Sequence, residues 1–376
     1  MPKLMIVGWF EPRFGAEWLA QGFEARGYQV IRIACDLEKP KNSGYYDYHV
    51  LDAYVKGRVP ERSAQIKEAY QVQLMMRRIR LQDIVAKFPC DQILFIQNKM
   101  AWDFDGINIP LDYYHTDIIT TNLPLHAEKI RGWFYAYVGG FEELKDAHQY
   151  EAMHGYWNRL VPYGFIPEHF KGNLSWENRE IFCGFAGSFS QNDHATNGLK
   201  KYIYKYRQEY LKITQEYLKE EFDLREFGDY YAYIKHLESC KTAINIPGIL
   251  GCINQRQYEI LAAGALLIQW WYPELESLGF KDHENCMTFR NETELKSIFD
   301  WIRACPWEAN EIRLTGLKMA QNHTWQRRAE EMIARMTTLS DRELQRVTWV
   351  EYQRQKEVSP ELEEKYEIPM IKVTAK

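Results

Sequence analysis

The chain has 376 residues, 46% hydrophobic and 26% charged, the proportions of a soluble globular protein, and a length that fits two domains better than one core. Its formal net charge of −5 argues against a general polyanion binder, since affinity for a phosphate backbone rests mainly on clustered Lys and Arg. Seven cysteines without a Cys-x-x-Cys pair disfavour a disulfide framework and a zinc site, and predict reduced thiols.

Met1-Pro2-Lys3-Leu4 passes directly into a strand-like run, without the charged and apolar regions of a signal peptide. The longest apolar stretch, Ile260 to Trp271, is about half of the roughly 20 residues that a bilayer span requires. A soluble cytoplasmic protein is therefore expected. Aromatic residues reach 15%, including 25 Tyr and 12 Trp, which suits recognition of flat or sugar-like surfaces and equally well a bulky core.

In chain order, Leu4 to Gly8 reads as a strand, Ala16 to Phe23 as a helix and Tyr28 to Ile33 as a second strand, the opening of a parallel α/β sheet. The intervening loop, Gly8 to Gly15, lacks the Gly-x-Gly-x-x-Gly spacing of a dinucleotide site, so nicotinamide and flavin enzymes are disfavoured. A helix is expected over Glu61 to Phe88, where Leu81, Ile84, Val85 and Phe88 keep one apolar face. Strands are expected at Asp91 to Ile96, Asp117 to Thr120 and Trp133 to Val138.

Leu160 to Phe170 combines two Pro and a Gly between apolar positions and reads as a domain boundary. Beyond it come a strand and Gly-containing turn at Ile181 to Ser188, an amphipathic helix through Ile203, Tyr206, Tyr210, Ile213 and Tyr217, and a strand at Thr242 to Pro247. A short strand at Cys286 to Phe289 precedes helices at Glu294 to Ala304 and Glu308 to Arg335. The domains are thus 1–165, 166–337 and a helical tail, 338–376, that the fold would pack back on the first domain.

Within the second domain, Asn254 to Ile268 compresses a polar helix start, a small-residue helix body, a Gly stop and an apolar strand into one stretch. Arg256 and Glu259 stand three apart and project from one helix face, so they can address one ligand together. A guanidinium fork and free helix N–H groups suit a diphosphate, and a carboxylate suits ribose hydroxyls. The structural alternative is an Arg256–Glu259 or Arg256–Glu274 salt bridge.

Asn245-Ile246-Pro247, Asn254 to Ala265, Pro273-Glu274-Leu275-Glu276, Glu294-Leu295 and Asn322 to Arg328 together resemble the C-terminal domain of CgeB-like glycosyltransferases. These belong to the GT-B glycosyltransferases related to family 4, and the resemblance covers roughly Ile181 to Met332. Val161 to Phe165 is similar to the interdomain linker of that group. The resemblance implies an α/β fold of two doubly wound, Rossmann-like domains, a nucleotide-sugar donor site in the second, an acceptor site in the first and catalysis in the cleft between them. No cofactor or divalent metal is implied.

Glu259 matches the second Glu of the family 4 Glu-x7-Glu pattern, the ribose contact; the first would fall at Gly251, so the usual sugar contact and the retaining outcome stay open. Arg256 is the candidate diphosphate ligand, and Asn254 is expected to cap the helix and aim its free N–H groups. Gly187 and Ser188 form a turn that can approach phosphate closely. Lys200 and Tyr258 complete the candidate donor set, although Lys200 also suits a solvated basic face. His323-Thr324-Trp325 is assigned a packing or capping role.

In the first domain, His115 with Asp117 two positions on, or Glu11 in the first loop, are candidates to activate or position an acceptor hydroxyl. A satisfied strand-end His is the alternative for His115. Asp103-Phe104-Asp105 has a metal-binding spacing in another glycosyltransferase class, but reads better as a loop feature. The expected activity is transfer of a hexose or pentose from a nucleotide sugar to a glycan, a small molecule or a modified nucleic acid, the last disfavoured by net charge. An epimerase or hydrolase of nucleotide sugars, or a non-catalytic binder of them, remains the alternative.

Overall fold

A computed structural model of the chain describes residues 1–10, 15–35, 48–49, 79–96, 102–115, 125–126, 129–136, 161–172, 174–187, 198–246 and 254–338. Two compact units divide it, one built on Met1–Ala136 and the other on Pro162–Glu330.

In the first unit the strands are β1 (Lys3–Gly8), β2 (Gln29–Ala34), β3 (Tyr48–His49), β4 (Ile79–Arg80), β5 (Gln92–Ile96), β6 (Trp102–Asp103), β7 (Leu111–His115) and β8 (Gly132–Tyr135). Six of them form a parallel sheet in the order β3-β2-β1-β5-β7-β8, while β4 and β6 pair separately. β1 is buried from Leu4 onward, as a parallel strand covered on both faces must be. Helix α1 (Ala16–Glu24) returns the chain to the sheet by burying Leu19, Ala20 and Phe23. On one side Phe95 packs edge-on against Trp102 and Phe104 and stacks on Tyr113.

One expectation changes here. The helix expected over Glu61 to Phe88 does not run unbroken, because Ile79–Arg80 pairs with Trp102–Asp103 and helix α2 begins only at Leu81, running to Lys87. His115 is the last residue of β7, with Leu111 to Tyr114 buried beside β5. The strand expected at Asp117 to Thr120 lies outside the described residues, as do Glu61 to Arg78 and the tail beyond 338.

The second unit alternates strand and helix: β9 (Ile181–Ala186), α3 (Gly198–Leu218), β10 (Phe222–Arg225), α4 (Tyr230–Ser239), β11 (Cys240–Asn245), α5 (Gln255–Ala262), β12 (Leu266–Trp270), β13 (Met287–Phe289) and α6 (Glu292–Ala304). All five strands are parallel, in the order β10-β9-β11-β12-β13. The chain leaves β9 in one direction and returns on its other side at β11. The topological switch point therefore lies between β9 and β11, where open α/β sheets bind ligands beyond the strands' carboxyl ends.

Glu308 to Arg335 is two helices and not one: α7 (Pro306–Ala320) and α8 (Trp325–Thr338). Thr324 interrupts them, its hydroxyl oxygen accepting the backbone N–H of Arg327 at 3.2 Å. The expected linker segment is tied to the same break. Phe165 donates its N–H to His323 O and accepts that of Trp325, both at 3.1 Å. His323 stacks on Tyr258 at 4.7 Å between ring centroids, and burial beside Arg328 pushes its imidazole down to about 3, so it packs as a neutral ring. No helix among the described residues is long and apolar enough to cross a membrane.

Candidate functional site

Helix α5 starts where β11 ends, beside the switch point, and stops at Gly264. That residue takes φ +68°, a left-handed conformation that glycine adopts without strain, and Ala265 N–H then closes the turn onto Ile260 O at 3.1 Å. Asn254 occupies the N-cap position with extended backbone, but its side chain does not cap the helix. It donates instead to Asn245 Oδ1 at 3.2 Å. The capping expectation is corrected by this buried competitor for the amide, and the helix N–H groups are left without a side-chain cap from Asn254.

Arg256 is held from three directions. Its guanidinium carbon lies 4.6 Å from the centre of the Phe185 ring, and Nη1 donates to Asn245 Oδ1 at 3.4 Å. On the third side is Gly187, whose φ of +150° belongs to glycine and where a Cβ would stand 2.0 Å from Arg256 Nη2. Nε is buried and has no hydrogen-bond partner among the described residues. Asn254 Oδ1, also buried, lacks one too. An unsatisfied guanidinium N–H and an amide oxygen next to a helix start are costly in an empty site and useful in an occupied one.

Glu259, 5% exposed, does not pair with Arg256. Its Oε2 accepts the Tyr233 hydroxyl at 2.6 Å, and its Oε1 accepts Gln255 Nε2 at 2.8 Å and the Tyr230 hydroxyl at 3.2 Å. Both tyrosines come from α4, which Asp229 caps by accepting Ala232 N–H at 2.7 Å. Burial raises the carboxyl above the usual range, opposed by the hydrogen bonds of Tyr233 and Gln255, the charge of Arg256 and the Tyr230 hydrogen bond. The salt-bridge reading of this helix turn is thus not realised: each charge has its own set of neutral partners.

The sign of that shift gives a test. A carboxyl whose folded pKa is raised contributes most to stability below its unfolded value, and the contribution is lost as pH rises through the raised one. Glu259→Gln, a neutral isostere, is therefore expected to melt at a higher temperature than the parent at about pH 8 and to match it near about pH 4. Thermal denaturation across that range checks it; a variant less stable at every pH would show that the ionised carboxylate is the favoured form.

The structure brings Gly187, Asn254, Arg256 and Glu259 to one edge of the second sheet. It does not bring Tyr258 there, a correction to the expected donor set: the ring is fully buried, between Phe280 and His323, because it projects from the packed side of α5. Lys200 falls in the first turn of α3. His115 ends β7, opposite Tyr135 of β8. Glu11, Asp117, Ser188 and Gly251 lie outside the described residues. Asp103 accepts from Asp105 N–H at 2.9 Å and lies 2.8 Å from His126 Nδ1, the bonding of a closed turn.

Sequence reading missed four contributors, Asn245, Phe185, Tyr230 and Tyr233. Asn245 was visible only as part of a motif; its Nδ2 donates to Gln269 at 2.8 Å, which fixes its oxygen toward Arg256. For the tyrosines a signal existed. Asp229 before Tyr230, Tyr233, Ile234 and Leu237 has the cap and spacing of a short amphipathic helix.

Residues 199–334 match the model of a family described as glycosyl transferase-like, which spans α3 to α8 and includes Arg256 and Glu259. The match is to the broad family and does not single out the CgeB-like subgroup. No curated protein matches the chain. Solved structures share its fold at low identity. Sucrose-phosphate synthase from Thermosynechococcus elongatus superposes with a TM-score of 0.53 at 12% identity, covering 90% of this chain and 99% of that one. A glycosyltransferase from Rickettsia africae gives 0.52 at 11%, over 90% and 98%. The E. coli trehalose-6-phosphate structure bound with UDP-2-fluoro glucose gives 0.52 at 12%, over 90% and 100%. The fold is GT-B, with two Rossmann-like domains.

Proposed function

We propose that the protein transfers a sugar from a nucleotide-sugar donor, held at the carboxyl edge of the second sheet, to an acceptor. The observation that carries this reading is Arg256: a guanidinium fixed by Phe185, Asn245 and Gly187 at the switch point, with a buried N–H that has no partner among the described residues. The family match over the same residues supports transferase chemistry.

In this reading the fork of Arg256 and the free N–H groups at the start of α5 bind the diphosphate. They stabilise its charge as the glycosidic bond breaks, in place of a metal. Glu259 takes the ribose. Of its three donors the Tyr230 hydroxyl is the most distant, at 3.2 Å, so a ribose hydroxyl replaces it on Oε1 while Tyr233 keeps Oε2 oriented. Ser188 and Lys200 are proposed to extend the phosphate site. His115, at a strand end of the first unit, or Glu11, deprotonates or positions the acceptor hydroxyl, with Asp117 as the partner of His115.

Native mass spectrometry of the full chain with a panel of UDP-, GDP-, ADP- and dTDP-sugars tests the proposal. At least one is expected to bind, and that donor to be consumed faster when the right acceptor is added. Retention of no member of the panel would overturn the donor assignment. Rapid donor turnover with no acceptor, unaltered by any acceptor tried, would favour a hydrolase or epimerase.

A further inference from the structure

A second concave site lies in the same unit, at the opposite side of the sheet order from β10. It is a cavity of about 540 Å³ along edge strand β13, with β12 between it and β11, and its size falls in the roughly 300–1,000 Å³ range of small-molecule sites. The floor is apolar and fully packed, formed by Leu275, Phe280 and Met287. Two indoles stand in the lining. Arg290 lies over the Trp271 ring at 4.2 Å, and the His283 ring meets Trp301 edge-on at 5.7 Å between centroids.

The charged lining is mostly acidic. Glu276, Asp282 and Glu294 face it, against the single guanidinium of Arg290. They are not equivalent. Glu294 is committed to the start of α6, where it accepts from Arg290 N–H at 2.7 Å and Asn291 Nδ2 at 2.9 Å. Asp282 spends Oδ1 on Thr288 N–H at 2.7 Å and has its Oδ2 3.9 Å from His283 Nε2. Glu276 is exposed and its carboxylate makes no hydrogen bond among the described residues.

A ligand for this cavity must offer an apolar face to an indole and hydroxyl donors to carboxylates, and must not be anionic. Phosphates, nucleotides and nucleic acid fail the last condition, since three carboxylates oppose one cation. A pyranose satisfies all three: its C–H face lies on an aromatic ring and its hydroxyls donate to Glu276 and Asp282. We propose that this cavity binds a short neutral saccharide, at a site distinct from the nucleotide end of the domain. Its use in holding a glycan acceptor rests on the transferase reading, whereas saccharide binding itself does not.

Saturation-transfer difference NMR and calorimetry on the full chain test it, with maltotriose, cellotriose and N,N′-diacetylchitobiose as neutral probes and a trisaccharide of uronic acids as the anionic control. At least one neutral probe is expected to bind and the anionic one to fail. Trp301→Ala and, separately, Glu276→Gln should each weaken binding about tenfold, the loss of one aromatic or charge-assisted contact. Nucleotide-diphosphate binding is expected to be unchanged in both. Because Glu276 is exposed, its variant tests the site without threatening the fold. The proposal is overturned if no neutral probe binds, if the uronic-acid control binds as well as the neutral ones, or if binding survives both substitutions and is abolished by Arg256→Ala, which would place the saccharide in the donor site.

Discussion

Arg256→Ala is expected to weaken nucleotide-diphosphate binding roughly 100-fold, the equivalent of about 3 kcal/mol when a charge-assisted fork is removed from a partly buried site. The fold should survive, because Arg256 donates to no backbone group among the described residues and packs on the face of Phe185. Arg256→Lys keeps the charge and loses the planar fork, so its affinity should fall between parent and Ala. Gly187→Ala should reproduce the Ala phenotype without touching the arginine. Its Cβ would sit 2.0 Å from Nη2, on a backbone at φ +150° that alanine strains to adopt, so the guanidinium must move. Calorimetric titration with UDP, GDP and ADP, alongside melting curves, reads all three variants. Unchanged affinity in folded Arg256→Ala would remove this residue from the donor site.

The largest effect on stability is expected at Arg179, which is 1% exposed. Its guanidinium donates to Glu238 O at 2.9 Å, Cys240 O at 2.8 Å and Ala263 O at 2.9 Å, with Nε reaching Leu174 O at 3.3 Å. It thus joins the end of α4, the start of β11 and the carboxyl end of α5, where a cation also meets the favourable pole of the helix dipole. Arg313 supports the same corner by donating to Gly264 O at 2.9 Å. Burial and the neighbouring charge of Arg313 push the Arg179 guanidinium down to about 10, still far above neutral pH. Arg179→Met leaves several buried carbonyls without donors, at about 1–3 kcal/mol for each one not rescued by water. A total loss of ~4 kcal/mol is expected, or on the order of 10 °C in melting temperature for a domain of this size. Arg179→Lys should recover little, since one ammonium cannot span carbonyls that point from three elements. A shift of only a degree or two in Arg179→Met would mean that the corner is held by packing alone.

Much of the architecture was legible because its signals are local. β1, α1, β2, β5, β9, α3 and α6 fall within a few residues of where apolar periodicity places them, since a run of buried side chains and a return helix need no distant information. The failures share a cause. Ile79–Arg80 leaves the helical pattern because it pairs with Trp102–Asp103, and the last long helix breaks at Thr324 where the linker at Phe165 bonds to both sides of the break. Both are long-range hydrogen bonds that override a local preference.

The same division runs through the candidate site. Sequence alone determined that Arg256 and Glu259 project from the start of one short helix, that Gly264 ends it and that β12 follows, because three-residue spacing and a glycine stop are properties of the chain itself. Tertiary structure decided what the two charges do. It turned Arg256 onto Phe185, Asn245 and Gly187, and enclosed Glu259 with Tyr230 and Tyr233 of α4. It also carried Tyr258, their neighbour in sequence, into the core against His323. A helix fixes which side chains share a face; only the packing of β9, β11 and α4 around it fixes the partners, the burial and hence the charge that each presents to a ligand.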